Sequence, residues 1–307
     1  MILNILFIVI GIVLVLRGAD RLTDGAVAVA EKMKMPQIVI GLTIVAMGTS
    51  MPEFCVSLIS ALKGTSDLAV GNIVGSNIFN TLLIVGVSAL VAPMSIMKTT
   101  VRKDIPFALV ASALLLIMCL DGDISRIDAA ILFVMFLIFM YITLRGAKAQ
   151  GTDLEEKEKK PMATWLSVVW ILVGLACLIG GSNLFVDGAT AVATKLGVSE
   201  AVIGLTIVAG GTSLPELATS VVSARKGNSG IAIGNVLGSN VFNILAILGL
   251  TGVISPMTLK GITMTDLSMM VISIILIWLF SFTKYKIERW EGAILTAVFV
   301  GYIYSLL

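Results

Sequence analysis

The chain of 307 residues contains no histidine, and charged residues make up only 13% of it. The absence of histidine excludes Ser-His-Asp catalysis and histidine-ligated zinc. A soluble domain carries roughly 25% charged residues, so this composition excludes a protein surrounded by water. The three cysteines lie in apolar runs without CxxC spacing, which excludes a disulfide framework. The net charge of +2 is too small to indicate nucleic-acid binding.

Hydrophobic residues instead make up 58% of the chain and recur in long runs. Several of these runs are long enough to cross a hydrocarbon core of about 30 Å. The first run, MILNILFIVIGIVLVLRG, has no basic leading region and no small-residue cleavage site, so we interpret it as a retained helix and not a signal peptide. The composition therefore predicts a protein with many membrane-spanning helices.

The sequence contains an internal repeat that relates its two halves. With an offset of 163 residues, 32 of the 56 positions from Val39 to Met94 are identical to those from Val202 to Met257, without a gap. The match extends back to Gly18, Asp24 and Gly25 in the first half. An internal repeat of this quality indicates a duplication and sets the expected fold.

Each half divides into five apolar segments, which predicts an all-α membrane protein of ten helices. The segments cover residues 2–18, 37–62, 68–92, 104–120 and 127–145, then 165–181, 200–224, 230–254, 266–283 and 290–306. A charged linker, 146–162, separates a first repeat at 1–145 from a second at 163–307. Because five is odd, the second repeat should enter the membrane in the opposite direction to the first.

Loop charge predicts the orientation, since lysine and arginine are enriched in cytoplasmic loops. We expect both termini outside and the linker inside the plasma membrane. Only four basic residues then lie outside: Lys63, Arg126, Lys195 and Lys260. The cytoplasmic set is Lys32, Lys34, Lys98, Arg102, Lys103, Arg145, Lys148, Lys157, Lys159, Lys160, Arg225, Lys226, Lys284, Lys286 and Arg289. Inverted repeats are typical of transporters whose substrate site lies where the repeats meet.

Two glutamates lie deep within apolar segments at equivalent places, in GTSMPE (48–53) and GTSLPE (211–216). A carboxylate at bilayer depth is expensive and indicates function, although a structural hydrogen bond is the alternative. In the first motif Thr49 and Ser50 can share a helix face with Glu53. Pro52 cannot donate to the carbonyl of Gly48, which opens the backbone. These are oxygen donors, which suit Ca²⁺ or Na⁺.

The third segment of each half contains GNIVGSNIFN (71–80) or GNVLGSNVFN (234–243). Gly71 with Gly75, and Gly234 with Gly238, have the GxxxG spacing of close helix packing. That packing does not explain the amides and hydroxyls beside these glycines. Ser76 and Asn80 are four residues apart, so they can share a face and complete a ring of oxygens. Ser239 and Asn243 have the same spacing in the second half, and the other amides that the glycine packing leaves unexplained are Asn72, Asn77, Asn235 and Asn240.

Two carboxylates match the charge of one Ca²⁺ held by about seven or eight oxygens, and several Na⁺ could share the same oxygens. Competition for one site is sufficient for antiport. Mg²⁺ fits less well because it gives up its water reluctantly. We expect no resident cofactor and no obligate protein partner, with Ca²⁺ and Na⁺ as substrates and lipid as surroundings.

These motifs resemble the two α-repeats of the Ca²⁺/cation antiporter superfamily, and within it the prokaryotic Na⁺/Ca²⁺ exchangers. The resemblance covers nearly the whole chain. It implies that the first and sixth helices slide to alternate access. It also implies these ion ligands: Ala46, Thr49, Ser50, Glu53, Ser76, Asn80, Ala209, Thr212, Ser213, Glu216, Ser239 and Asn243.

Departures within the superfamily refine the expectation. Some relatives, including K⁺-dependent exchangers, carry Asp where Asn243 stands, so Asn243 argues against K⁺ co-transport. The H⁺/Ca²⁺ branch typically has GN-x-x-E in place of GTS-x-PE; H⁺-coupled antiport is the main alternative, and a passive cation channel a weaker one. An intramembrane enzyme is disfavoured because there is no histidine and no DDxxD motif. The short linker leaves no room for a Ca²⁺-sensing domain.

Overall fold

The computed structural model describes residues 2–149, 162–197, 209–259 and 261–306, and almost all of them are helical. The α-helices of the first half are α1 (Ile2–Met33), α2 (Gln37–Ile40), α3 (Ala46–Thr49), α4 (Met51–Leu62), α5 (Ser66–Ile78), α6 (Val85–Val91), α7 (Ile105–Met118) and α8 (Arg126–Ala149). Short π-helical segments at Gly41–Val45, Phe79–Ile84 and Thr100–Asp104 and a 3₁₀ turn at Cys119–Asp121 continue them.

The second half repeats this order. Its described α-helices are α9 (Thr164–Lys195), α10 (Ala209–Thr212), α11 (Leu214–Arg225), α12 (Ser229–Val241), α13 (Gly249–Ile254), α14 (Met264–Ser281) and α15 (Arg289–Leu306), with a π-helical segment at Phe242–Leu248. Most of the linker predicted at 146–162, and the start of the segment predicted at 200–224, lie outside the described residues.

Seven helical stretches in the described part are long and apolar enough to cross a membrane. They are Ile2–Met33, Ser66–Val91, Thr100–Asp121, Arg126–Ala147, Thr164–Lys195, Ser229–Ile254 and Met264–Ser281. The pair Gln37–Thr49 and Met51–Leu62, bent by 48° at its break, adds an eighth. The prediction of a helical membrane protein is confirmed at this level.

Local sequence explains where several helices begin and end. Thr263 caps α14, because its hydroxyl accepts from the Asp266 N–H while the Asp266 carboxylate accepts from the Thr263 N–H. Just beyond α4 and α11 stand Gly64 and Gly227, with φ of +76° and +79°. Glycine tolerates this left-handed conformation without strain, so both equivalent helices stop at the same point.

Two small antiparallel strand pairs join loops of the two halves. Strand β1 (Met94–Ser95) pairs with β4 (Lys286–Ile287), and β2 (Asp123–Ile124) pairs with β3 (Met257–Thr258). With the 163-residue offset, β1 corresponds to β3 and β2 to β4. The duplication therefore carries one strand pair onto the other, as expected of an internal two-fold relation.

The stretches that contain α5 and α12 form the centre of the protein. In the most apolar 18 residues of each, 72% and 100% of positions are buried, against 22% in α1. At Gly234 an added Cβ would lie 2.6 Å from the Ile38 carbonyl oxygen, and at Gly238 2.7 Å from the Leu42 Cα. Close packing at this glycine pair is confirmed. For Gly71 and Gly75, the partner equivalent to Ile38 and Leu42 falls within 201–208, outside the described residues.

Helices α1 and α9 pack against each other along their length through glycines. An added Cβ at Gly11 would lie 2.7 Å from the Gly181 carbonyl oxygen, and one at Gly18 would lie 2.8 Å from that of Gly174. Because higher numbers in α1 face lower numbers in α9, the two helices run antiparallel. Equivalent helices of the two halves thus pack in opposite directions, and at the glycines their backbones approach closely with no side chain between them.

Candidate cation site

The two Glu-containing motifs break their helices in the same way. Ser50, between α3 and α4, has φ −82° and ψ 9°, and Ser213, between α10 and α11, has φ −89° and ψ 7°. A proline occupies the second position of the helix after each break and removes a backbone donor. The prediction of opened backbone at both motifs is therefore matched by non-helical serines directly before each carboxylate-bearing helix.

The carboxyl group of Glu53 receives hydroxyls from two other segments. Ser213 Oγ donates to Glu53 Oε1 at 2.9 Å, and Ser76 Oγ lies 3.3 Å from the same oxygen. The two serine hydroxyls also lie 2.8 Å from each other. Glu53 is thus held by the second motif and by α5 at once.

The carboxyl group of Glu216 repeats one of these two contacts, whereas the Oγ of Ser239, the equivalent of Ser76, is buried without a hydrogen-bond partner in the described structure. Ser50 Oγ donates to Glu216 Oε1 at 2.8 Å. Each motif therefore gives its serine to the carboxylate of the other motif, and neither half-site is complete alone. The sequence places Ser50 on the same helix face as Glu53, but the helix breaks at Ser50 and directs the hydroxyl across the repeat instead.

Both carboxylates are fully desolvated by the protein: Glu53 is 0% and Glu216 1% exposed. In each, Oε2 is buried and has no hydrogen-bond partner among the described residues. No lysine or arginine in the described part of the chain forms an ion pair with either glutamate. Buried carboxylates without a counter-ion are very unfavourable, so this geometry requires that they be neutralised, either by protons or by a bound cation.

Further oxygen donors surround the two carboxylates. Thr49 Oγ1 has three acceptors for its single proton: the Val45 and Ala46 carbonyl oxygens, at 3.1 and 3.3 Å, and Asn235 Oδ1, at 3.1 Å. Asn80 and Asn243 are 0% exposed, and the amide oxygen of each is buried without a partner in the described structure. Each is the second residue of a π-helical segment, a geometry often found at functional sites.

The structure accounts for each predicted site residue as follows. Direct hydrogen bonds join Ser50, Glu53, Ser76, Ser213 and Glu216 across the repeats. The remainder lie on the same broken or central helices: Ala46 and Thr49 in α3, Ala209 and Thr212 in α10, Ser239 in α12, and Asn80 and Asn243 in the π-helical segments. The side chain of Ala209 is outside the described part of the structure.

Two asparagines that were not among the predicted ligands brace the carboxylate helices. Asn72 Nδ2 donates to the Glu53 carbonyl at 3.3 Å and to Ser57 Oγ at 3.0 Å. Asn235 makes the equivalent bonds to the Glu216 carbonyl and Ser220 at the same distances. Their recurrence in both halves was the available signal, but sequence alone did not separate bracing amides from ligands.

The donor set consists of two carboxylates, hydroxyls, amides and backbone carbonyls. Among the described residues there is no group of three or more His, Cys, Asp or Glu side chains that could hold a metal. The groups gathered around Glu53 and Glu216 are oxygens, which are the ligands that hard cations such as Na⁺ and Ca²⁺ prefer.

Comparisons with known proteins agree with this chemistry. The model of the family described as "Sodium/calcium exchanger protein" matches residues 3–145 and 166–307. The chain is 39% identical to "Putative antiporter CaxA" of Alkalimonas amylolytica, covering 100% of this chain and 99% of that protein. It is 32% identical to "Sodium/calcium exchanger MaX1" of Methanosarcina acetivorans, covering 99% and 98%.

A solved structure shows the same fold. The sodium-calcium exchanger NCX_Mj, soaked with zero Na⁺ and Ca²⁺, matches with a TM-score of 0.88 and 32% identity over 100% of this chain and 99% of that one. The "Inner membrane protein YrbG" of Escherichia coli K12 is 37% identical over 100% of this chain and 97% of its own length. The family is one of membrane transporters and not of enzymes. The chain belongs to the sodium/calcium exchanger protein family.

Proposed function

We propose that the chain exchanges Ca²⁺ for Na⁺ across the membrane, with the two ions competing for the site between Glu53 and Glu216. The observation that carries this proposal is the pair of buried carboxylates, each with a free Oε2 and without an ion-pair partner in the described structure. Together they supply two negative charges, which equal the charge of one Ca²⁺.

The remaining ligands are uncharged oxygens from both halves. Ca²⁺ takes about six to eight oxygens at flexible geometry, and Na⁺ is served by the same hydroxyls and carbonyls. The proposed set is Ala46, Thr49, Ser50, Glu53, Ser76 and Asn80 with Ala209, Thr212, Ser213, Glu216, Ser239 and Asn243. Cation binding would meet the carboxylate and amide oxygens that are otherwise buried without partners.

The proposed architecture has ten spans, as a first repeat at 1–145, a cytoplasmic linker at 146–162 and an inverted repeat at 163–307. Two findings support the inversion: α1 and α9 run antiparallel, and the strand pairs β1–β4 and β2–β3 correspond under the repeat. The distribution of basic residues in the loops supports an orientation with both termini outside.

We further propose alternating access, because the two equivalent faces of the site differ. On the face assigned to the cytoplasm, α1 lies against α11: Thr23 Oγ1 and Ser223 Oγ are 2.9 Å apart, and Lys226 Nζ lies 2.8 Å from Asp24 Oδ1. On the opposite face a cavity of about 500 Å³ separates α9 from α4, and its lining includes Cys55, Asp187 and Thr212.

Burial shows the same asymmetry at equivalent positions. Cys55 in α4 is exposed, whereas Ala218, its counterpart in α11, is only 7% exposed. We infer that the described residues are separated between α9 and α4, on the side assigned to the outside, and in contact between α1 and α11, on the side assigned to the cytoplasm.

Transport by the purified protein in liposomes tests the proposal. We expect ⁴⁵Ca²⁺ uptake to require an outward Na⁺ gradient and to be unaffected by an equal K⁺ gradient, because Asn243 leaves only two acids in the proposed ligand set. Uptake driven by a pH gradient without Na⁺ would establish H⁺-coupled antiport instead. Uptake that ignores every opposing gradient would establish a passive channel.

A further inference from the structure

Asn80 and Asn243 can act as cation ligands only in one of two orientations. An amide side chain presents a carbonyl oxygen on one side and an NH₂ group on the other, and only the oxygen attracts a cation. Some other part of the protein must therefore decide which end faces the two carboxylates. The buried amides and hydroxyl behind these residues form a hydrogen-bonded chain with a defined direction.

The direction on one side is set by a backbone carbonyl. Asn77 Nδ2 donates to the Asn240 main-chain oxygen at 3.2 Å. A carbonyl oxygen can only accept, so the NH₂ end of Asn77 must face it and Oδ1 must face away. Asn77 Oδ1 then accepts from Asn243 Nδ2 at 3.0 Å, and the same nitrogen lies 3.5 Å from Ser76 Oγ. Because its nitrogen is engaged there, Asn243 is left with a buried Oδ1 that has no partner in the described structure.

The direction on the other side is set through a threonine. Thr81 Oγ1 donates to the Asn77 main-chain oxygen at 2.7 Å, which uses its only proton. The hydroxyl can then only accept, and Asn240 Nδ2 donates to it at 2.7 Å. Asn240 Oδ1 in turn accepts from Asn80 Nδ2 at 3.2 Å. The Asn80 oxygen is thereby directed away, buried and without a partner among the described residues.

We propose that Asn77, Thr81 and Asn240 are positioning residues that hold Asn80 and Asn243 with their amide oxygens toward the transported cation. This inference rests on the proposed cation exchange at Glu53 and Glu216. All three positioning residues are at most 1% exposed, so water does not compete for their hydrogen bonds. A reversed amide would present N–H groups to the cation and would leave buried donors and acceptors unpaired.

The relay is asymmetric between the two halves. Position 81 is threonine, but its equivalent at 244 is isoleucine. Asn77 is therefore oriented directly by a main-chain oxygen, whereas Asn240 depends on the Thr81 hydroxyl. Removing the Thr81 hydroxyl therefore tests the orientation of Asn80, which Thr81 influences only through Asn240.

Thr81→Val, which has nearly the same shape without the hydroxyl acceptor, is the test variant. We expect it to raise the Ca²⁺ concentration for half-maximal uptake at least about tenfold, the usual effect of losing a group that orients a metal ligand. Thr81→Ser keeps the hydroxyl and should stay within about twofold of the wild type, since it preserves the same donor and acceptor. Thr81→Ala removes the same hydroxyl by a second route if the valine variant does not fold.

Thr43→Val is the matched control. Thr43 Oγ1 donates to the carbonyl four residues earlier at 2.7 Å, as Thr81 does, but no side-chain amide in the described structure donates to it. Its Ca²⁺ affinity should remain that of the wild type. Calcium binding by calorimetry on the purified protein and the melting temperature of each variant are measured beside uptake, because a merely structural role would lower stability without changing binding.

The positioning role is refuted if the Ca²⁺ concentration for half-maximal uptake by Thr81→Val stays within about twofold of the wild type. It is also refuted if Thr81→Ser shows the same rise as Thr81→Val, because either result would mean that Ca²⁺ affinity does not depend on the hydroxyl. A wild type that exchanges Ca²⁺ for Na⁺ alongside an unaffected Thr81→Val refutes this inference alone. A wild type that neither binds nor takes up Ca²⁺ refutes the proposed function and this inference together.

Discussion

Replacing Lys226 with methionine should raise the population of the state that is open on the face assigned to the cytoplasm about fivefold. This factor corresponds to a loss of about 1 kcal/mol of stabilisation that is made only in the closed state. Lys226 follows α11 and bridges to α1, with Nζ 2.8 Å from Asp24 Oδ1, 3.0 Å from Asp20 Oδ1 and 3.2 Å from the Asp20 carbonyl oxygen. These contacts must break if α1 slides away from α11.

The magnitude follows from the exposure of the three side chains. Lys226, Asp20 and Asp24 are 29%, 41% and 39% exposed, so solvent screens both ion pairs. Exposed pairs contribute about 0.2–1 kcal/mol each, and the freed aspartates remain hydrated after the substitution. Two such pairs together give about 1 kcal/mol, which is roughly fivefold in a two-state equilibrium. The methionine keeps most of the apolar length of the side chain.

Ala218 provides a reporter of this opening. It is 7% exposed, whereas its equivalent Cys55 is exposed in the cavity on the opposite side. In a background without the native cysteines, Ala218→Cys should react with a thiol reagent added from the cytoplasmic side only when α1 moves away. The rate then follows the population of the open state, provided that opening and closing are faster than labelling.

Two lysine variants make the assay decisive. Lys286→Met removes a lysine assigned to the same side whose ion pair, to Glu288 at 3.5 Å, does not reach α1, and it should leave the rate unchanged. Lys63→Met removes the lysine equivalent to Lys226 and should not raise the rate, since Lys63 has no ion pair among the described residues. An unchanged rate in Lys226→Met, or an equal rise in Lys286→Met, would refute the reasoning.

Three further outcomes are expected. Glu53→Gln or Glu216→Gln should reduce Na⁺-driven ⁴⁵Ca²⁺ uptake to less than about a tenth while the elution profile stays monodisperse; uptake like the wild type in both would make the carboxylates structural. Gly234→Ala places a Cβ 2.6 Å from a main-chain oxygen and should destabilise by about 1–3 kcal/mol in thermal unfolding, unlike Gly180→Ala, which meets nothing within 4 Å. Asn183→Asp adds a carboxylate near Asp187 with which Lys63 can pair. We expect it to raise the Ala218→Cys labelling rate, because that ion pair would stabilise the state in which α9 lies against α4 and the cytoplasmic face is open; an unchanged rate would show that the pair does not form.

The duplication and the intramembrane acids allowed much of the fold and site to be predicted. The constant offset between the halves identifies equivalent positions. Because burying a carboxylate in a membrane is costly, the two glutamates at equivalent positions were expected to be functional. That is why Glu53 and Glu216, which come from different halves, were expected at one place. The structure brings them together through Ser213 and Ser50, each 2.8–2.9 Å from the carboxylate of the other half.

Contacts between distant segments could not be predicted in the same way. Lys226 counts in the sequence as one more charge in a cytoplasmic loop, although the structure pairs it with residues about 200 positions earlier. The direction of the amide chain depends on which main-chain oxygen faces Asn77, and no pattern of residue types encodes that. Likewise a helix-face argument joins Ser50 to Glu53, but one non-helical residue sends the hydroxyl elsewhere.

The two halves also show why a repeated sequence does not adopt one repeated environment. In the proposed alternating-access cycle, opening both faces at once would let ions leak through the site, so the equivalent pairs α1–α11 and α9–α4 cannot both be open. The α1 side carries Asp20 and Thr23, where the α9 side has Asn183 and Val186. Those residues contribute an additional ion pair and a hydroxyl bond to the closed face. In the proposed cycle, a difference of this size, about 1 kcal/mol, would favour the state closed toward the cytoplasm, and a modest preference of bound ions for the opposite state would be enough to populate it.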